Sequence, residues 1–323
     1  MTTVLLRGLA LGACLALALP ADARELRSAD THVDGYPTVE AVKYMGVLLS
    51  QRTDGRLTIK VYDSAQLGEA KDTIEQTQFG ALDMNRINLA PLNQVAPETI
   101  ALGMPFLFRS VEHMHQVLDG PIGEEVLAAM EPHGLIGLAF YDSGSRSFYN
   151  SKHPINTVDD LKGMKLRVIQ SDVFIAMVEA LGGNPTPMPF GEVFSAIQTG
   201  VVEGAENNWP SYWSTRHYEV AKFYSLTEHS MTPEMLVMSK MTWDTLTPED
   251  QQIVRETAKE SVGRMRELWQ ESEIKAREAV LAGGSQVNEV DKQPFIDAMA
   301  PVYERFGADP KVAGLIARIR AVQ

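Results

Sequence analysis

The chain has 323 residues, 45% of them hydrophobic and 22% charged, and a formal net charge of −13. That length suggests two domains, the composition is ordinary for a globular protein, and the acidity argues against nucleic acid as a partner. An anionic small ligand is not excluded, because a local arginine site outweighs a diffuse negative surface.

Residues 1–6 carry no acid, Arg7 supplies a positive charge, and 9–19 are small and apolar. Ala21-Asp-Ala23 then offers a small-x-small cleavage site, so 1–23 reads as a secretion signal, too short to span a bilayer. Leu11-Gly-Ala-Cys14 has the look of a lipidation box, but apolar sequence continues well past Cys14. Cleavage after Ala23 removes the only cysteine, and stability then rests on the core. Residues 56–62 alternate like a half-buried strand. After Gly68 a helix is expected over 69–78, closed by Gly80, and 81–88 returns to an extended segment. The same order follows Arg167: a helix over 174–181, Gly182-Gly183, an extended 186–190, a helix over 192–198, then 201–206. Alternation of this kind indicates mostly parallel sheets with covering helices, an α/β fold. Thr247-Pro-Glu-Asp250 is a strong helix start, with an N-cap, Pro at the first helical position and acids at the positive end of the dipole. Only Gly263 interrupts before Gly283-Gly284, which implies a helix of more than 30 residues, on the order of 50 Å long. Such a helix exceeds one small domain and is expected to lie along both, with Ile253, Val262, Met265, Leu268 and Trp269 on its packed face.

The region 141–207 carries the chemistry. Arg146 follows one apolar run, Arg167 sits inside another, and Asn207 closes Gly204-Ala-Glu-Asn. Two guanidiniums and an amide on or beside strands are what holding a carboxylate requires, since the arginine fork matches it with two parallel hydrogen bonds. A buried strand arginine such as Arg167 needs an anionic partner.

The chain resembles the solute-binding proteins of TRAP transporters, the DctP-like family. The resemblance rests on motifs in order along the whole mature chain. The first half contributes Asp30-Thr-His32, Gln66-Leu-Gly68-Glu69, Gly80-Ala-Leu-Asp83-Met84 and Met104-Pro-Phe-Leu-Phe108. The second adds Asp160-Leu-Lys-Gly163-Met-Lys-Leu-Arg167-Val168, 196–207 and Tyr218-Glu-Val-Ala-Lys222. The resemblance implies a two-domain periplasmic binding protein fold with a central ligand cleft, crossing segments and one long helix. It implies a periplasmic location, TRAP membrane permease subunits as partners, and a monomer. Residues 24–143 and 233–272 would form the N-terminal lobe and 144–232 and 273–323 the C-terminal lobe, with the helix at about 248–282 spanning both.

By the same resemblance Arg167 makes the two-pronged contact to the ligand carboxylate, Asn207 and Arg146 support it, and Phe190 packs on the ligand. The other fates open to these types are a surface ion pair, a turn and the core. His32, Glu75, Arg86 and Asn88 of the N-terminal lobe are expected to face the cleft, as are Asn208, Trp209 and Tyr212 at the rim beside Asn207. A cleft with donors, acceptors and an acid suits a polyhydroxylated ligand, whereas a short dicarboxylate would be repelled by the acid. The wording of 142–150 is also similar to the sugar-acid branch of the family, which takes hexuronates such as glucuronate or galacturonate. The alternatives are a C4-dicarboxylate or other organic acid, or a sensor feeding a membrane receptor. Glu203 stands where many relatives carry Asp.

Nothing in the sequence supports an enzyme. There is no Gly-x-Ser-x-Gly elbow, no His-Glu-x-x-His and no phosphate-cradling glycine loop. His113 and His115 do not share a helix face, and Asp30-Thr-His-Val-Asp34-Gly35 lacks the later acid of a calcium loop. No cofactor and no metal is expected.

Overall fold

The computed structural model describes residues 23–323; most of the predicted signal segment, with Cys14, lies outside the described residues. Eleven strands, numbered in chain order, form two sheets. The first takes β1 (Arg24–Ala29), β2 (Leu57–Tyr62), β3 (Met84–Asn88), β4 (Leu135–Tyr141) and β10 (Glu234–Ser239), in the order β2-β1-β3-β10-β4. The second takes β5 (Arg146–Asn150), β6 (Lys165–Val168), β7 (Asn184–Pro187), β8 (Gly204–Asn207), β9 (Phe223–Ser230) and β11 (Gln286–Glu289), in the order β11-β9-β5-β8-β6-β7. Parallel pairs form where a helix lies between the two strands, as in β1 with β2 and β6 with β7. β10 runs antiparallel to both β3 and β4, and β5 runs antiparallel to both β8 and β9, because these strands arrive from the other lobe.

The expected helix over 69–78 is Ala70–Gln78, and the expected helix over 192–198 is Val193–Gln198. The extended stretch after Gly183 is shorter than its sequence suggests: β7 ends at Pro187, and Phe190–Glu192 is a turn of 3-10 helix. β7 is an edge strand, where Pro185 and Pro187 remove no ladder bond the sheet needs.

The long helix runs Pro248–Ala282, 35 residues, with the Thr247 hydroxyl accepting the Asp250 N–H as its cap. Its inward positions bury into two cores in succession. Val254, Ala258, Met265 and Trp269 belong to the apolar cluster of the first sheet, and Ala276 and Val280 to that of the second. Two further crossings join the lobes. Residues 142–145 link β4 to β5, and 231–233 link β9 to β10. They are strapped together, since Ser143 Oγ donates to the Thr232 carbonyl at 2.5 Å. The Asp142 carboxylate anchors the first crossing, 2.8 Å from His115 Nε2 and 3.7 Å from Arg266 of the long helix.

The C-terminus departs from the expected division. The helix Ala300–Phe306 packs on Asp172–Ala180 of the second lobe, but the last helix, Pro310–Ala321, packs on Glu98–Leu102 and Pro121–Ala128 of the first. Val312, Leu315, Ile316 and Ile319 are buried there, and Arg109 donates to the Arg320 carbonyl at 3.1 Å. Apolar burial carries this segment across, a pairing invisible to local periodicity.

Gly144, in the first crossing, has φ +57°, and a Cβ there would stand 2.9 Å from the Trp269 ring. Gly144→Ala is expected to destabilise by about 2–4 kcal/mol, from left-handed backbone strain plus overpacking. Gly55→Ala, with φ +78° and open space around it, should lose only the strain, about 1–2 kcal/mol. Urea unfolding midpoints of the two variants separate the terms, and equal losses would remove the packing contribution.

Candidate functional site

The two sheets face each other across a cavity lined by Thr31, His32, Glu69, Arg86, Asn88 and Glu234 from the first lobe, and by Arg146, Arg167, Met188, Phe190, Asn207, Asn208 and Ser211 from the second. Strand ends supply most of them, because strands from both sheets finish at the cleft and their last side chains project into it.

Among the described residues three arginines are buried, and all three line this cavity. Two are internally neutralised. Arg86, on β3, donates Nε to Asp30 at 2.8 Å and Nη1 to Glu234 at 2.6 Å, while Asn88 Nδ2 takes the other Glu234 oxygen at 2.9 Å. Burial opposes the Arg86 charge, but the Asp30 and Glu234 carboxylates more than offset it and raise its pKa. Arg146, the first residue of β5, donates Nε to Glu206 at 2.6 Å and Nη1 to Asn207 Oδ1 at 2.8 Å. There too burial is outweighed by the acid, and the pKa is raised.

Arg167 differs. It stands mid-strand in β6 between Leu166 and Val168, whose side chains enter the core on the opposite face. Nε and Nη2 donate to the Met188 carbonyl at 3.1 and 2.9 Å, and no carboxylate lies within ion-pairing distance among the described residues. Burial, with Arg146 adding, pushes its pKa down to about 10, against weaker opposition from Glu206, Tyr149 and Glu69. The carbonyl fixes one edge of the guanidinium and leaves the other facing the cavity. Asn207 Oδ1 is already occupied by Arg146 and by the Asn208 N–H at 2.9 Å, so its Nδ2 is the group left to donate. A buried cation without an anion, beside an amide donor, has the chemistry to accept one carboxylate.

Around it lie groups suited to hydroxyls. His32 stacks on Tyr36 with centroids 3.7 Å apart and leaves Nδ1 buried with no partner among the described residues. Burial, then Arg86 and Arg146, hold its pKa well below 6.5, so the ring is neutral and offers one donor and one acceptor. The Phe190 ring stands 5.9 Å from Arg167 Cζ and meets His32 edge-on at 5.2 Å.

Of the residues expected at the cleft, Arg167, Asn207, Arg146, Arg86, His32, Asn88, Phe190 and Asn208 line it. Asn208 is turned to structure, its side chain accepting the Ser211 N–H and donating to the Ser143 carbonyl, both at 2.8 Å. Three expectations are corrected. Glu75 is exposed on the outer face of its helix, whose inner face is Thr73, Ile74 and Thr77. Glu69 at the start of that helix reaches the cavity instead, and its motif was the available signal. Trp209 stacks on Tyr224 at 4.0 Å in the second-lobe core. Tyr212 is also core, its hydroxyl donating to the Ala221 carbonyl at 2.5 Å. Sequence reading missed the buried acids Asp30, Glu206 and Glu234, which no local pattern distinguishes from surface acids.

The charges of this region set the acid limb of stability. Burial lowers His32, His217 (to about 3, with Arg167 adding) and His229 below the ordinary imidazole value. The unfolded chain takes protons on these rings near pH 6.5 and the folded chain does not, so stability declines as pH falls below that value. Glu206 acts lower down. Burial alone would raise it, but Arg146 and His229 hold it at about 2, so its contribution, present above its ordinary value near 4.5, is lost toward pH 2. Unfolding free energy measured in urea should already drop between pH 7 and 5; a flat profile there would contradict neutral buried histidines.

The model for bacterial extracellular solute-binding protein, family 7 (DctP), matches residues 28–309. A TRAP periplasmic solute-binding protein from Bradyrhizobium sp. BTAi1, solved in complex with α/β-D-galacturonate, is 58% identical, with a TM-score of 0.91 over 92% of this chain and 100% of its own. One from Roseobacter denitrificans with bound β-D-glucuronate is 45% identical, with a TM-score of 0.91 over 93% and 100%. The 2,3-diketo-L-gulonate-binding periplasmic protein of Escherichia coli is 35% identical over 88% of this chain and 87% of its own. The match over residues 28–309 and the likeness to these solved proteins show the family, and this chain belongs to it: it is a solute-binding protein of the TRAP transporter type.

Proposed function

We propose that this chain binds a D-hexuronate, galacturonate or glucuronate, in the cavity between its lobes. The observation that carries the reading is Arg167, buried, paired with no acid among the described residues and lining the cavity with Asn207. One unpaired cation takes one carboxylate. The first lobe's side of the lining includes Glu234, Asn88, Glu69 and neutral His32, which exchange hydrogen bonds with hydroxyls, and its two acids repel a second carboxylate. Arg86 does not serve a second carboxylate either, since Asp30 and Glu234 already saturate it. This disfavours a C4-dicarboxylate. The galacturonate and glucuronate held by the Bradyrhizobium and Roseobacter proteins support the same class. The chain would act as an exported monomer that hands its ligand to TRAP membrane permease subunits, as its family and its leader-like N-terminus support; it carries out no chemistry on the ligand.

Refolded protein freed of carried-over ligand should show a raised melting temperature with galacturonate or glucuronate and none with succinate or malate, because ligand bound only to the folded state stabilises it by mass action. Arg167→Ala should weaken calorimetric affinity by about 2–5 kcal/mol, roughly 30- to 5000-fold, since it leaves the ligand carboxylate desolvated and unpaired. Arg167→Lys should also bind more weakly, because a point charge does not reproduce the fork. Native affinity in the alanine variant would sink the assignment.

A further inference from the structure

The cavity around Arg167 shares a wall with a second, outer space between the lobes. Thr31, His32 and Glu69 of the first lobe and Phe190 of the second line both spaces. The outer one holds about 200 Å³ and adds Ser64, Phe194, Ser214 and His217.

Glu69 holds the wall shut. It occupies the cap position of the helix Ala70–Gln78, yet its side chain does not cap that helix. Its carboxylate reaches across the cleft and accepts the N–H of Phe190 at 3.3 Å and of Gly191 at 3.0 Å, its only side-chain hydrogen bonds among the described residues. The His32–Phe190 ring contact, 5.2 Å between centroids, crosses the same gap. Both contacts join one lobe to the other, so the wall exists only while the lobes are closed. A Cβ at Gly191 would stand 2.6 Å from Glu69 Oε1, so any side chain there would push the carboxylate off its two amide donors.

We propose that Glu69 and the Phe190–Gly191 backbone form a length filter that admits single-ring acids and rejects chains extended into the outer space. The inference rests on the hexuronate reading above. A substituent passing through the wall must displace a carboxylate that accepts two amide hydrogens, leaving charge and donors unpaired, or must hold the lobes apart. With the wall removed, the outer space would suit a second sugar ring, its aromatic faces at Phe194 and His217 and its hydroxyls at Ser64 and Ser214.

Titration calorimetry of the mature protein with D-galacturonate and with α-1,4-linked digalacturonate tests this. The dimer, used as its monomethyl esters so that it carries one carboxylate like the monomer, offers one ring substituted at C1 and one at C4, so either orientation in the cavity is sampled. The native protein should bind the dimer about 100-fold more weakly than the monomer, the factor that leaving polar groups unpaired produces. Glu69→Ala should narrow that ratio to about tenfold or less. Gly191→Ala attacks the wall from an exposed loop and should narrow the ratio in the same direction with Glu69 present; unfolding midpoints verify that both variants fold. Equal binding of the two sugars by native protein, or an unchanged ratio in both variants, overturns the filter. Binding of neither sugar by native protein, and of no glucuronate in the same titration, overturns the hexuronate reading and the filter with it.

Discussion

Charge neutralisation inside the cleft is the constraint on which the rest of the structure depends. Three guanidiniums are buried within one cavity wall, and three unpaired buried cations would not be tolerated at the several kcal/mol of desolvation each incurs. Asp30 and Glu234 hold Arg86, and Glu206 holds Arg146. These acids come from β10, β8 and the loop after β1, so the ion pairs also tie neighbouring strands together at their cleft ends. Arg167 is exempt, and its depressed pKa records that exemption. A protein stabilises two of its buried cations and leaves the third to a ligand when holding that ligand is its task. The cost of keeping Arg167 unsatisfied is deducted from folding and returned on binding.

Much of this was legible in the sequence, for identifiable reasons. The long helix announced itself through Thr247-Pro-Glu-Asp250 and the absence of breakers, and it runs over Pro248–Ala282. Arg167 was legible because its flanks, Leu166 and Val168, are too apolar for a solvated strand, and a buried arginine implies an anion. What local pattern does not carry is partnership. Arg146 read as a ligand residue by resemblance and Arg86 by its place at a strand end; only the fold brings Glu206 and Glu234 beside them. Glu75 was expected inward because it is an acid on the right helix, but a helix that points its N-terminus at the cleft delivers its first residue, Glu69, and turns the later ones to solvent or core. Trp209 and Tyr212 follow Asn207 closely, yet Pro210 lies in the first turn of a helix that carries both rings into the second-lobe core. The last helix returns to the first lobe for a similar reason, a long-range apolar match that no window of sequence contains.

The division of the site between lobes has a thermodynamic consequence. In the proposed binding mode Arg167 and Asn207 both belong to the second lobe, so they would engage a carboxylate whether the cleft is open or closed. A contact equally strong in both states adds affinity and shifts no equilibrium. Closure must be driven by groups the ligand meets only when the lobes approach: His32, Asn88, Glu234 and Glu69 from the first lobe. Moving an equilibrium from mostly open to mostly closed takes about 5.5 kcal/mol of differential affinity, a few good hydrogen bonds to a buried polar solute. The crossings are placed to respond, since Arg146 begins directly after 142–145, Glu234 directly after 231–233, and Asn208 Nδ2 is bonded to the Ser143 carbonyl between them. On the proposed function the second lobe would recognise that a solute is an acid, and the first lobe, by permitting or refusing closure, would decide which acid is presented as cargo. Anion chemistry fixes the class of ligand and hydroxyl geometry fixes its identity.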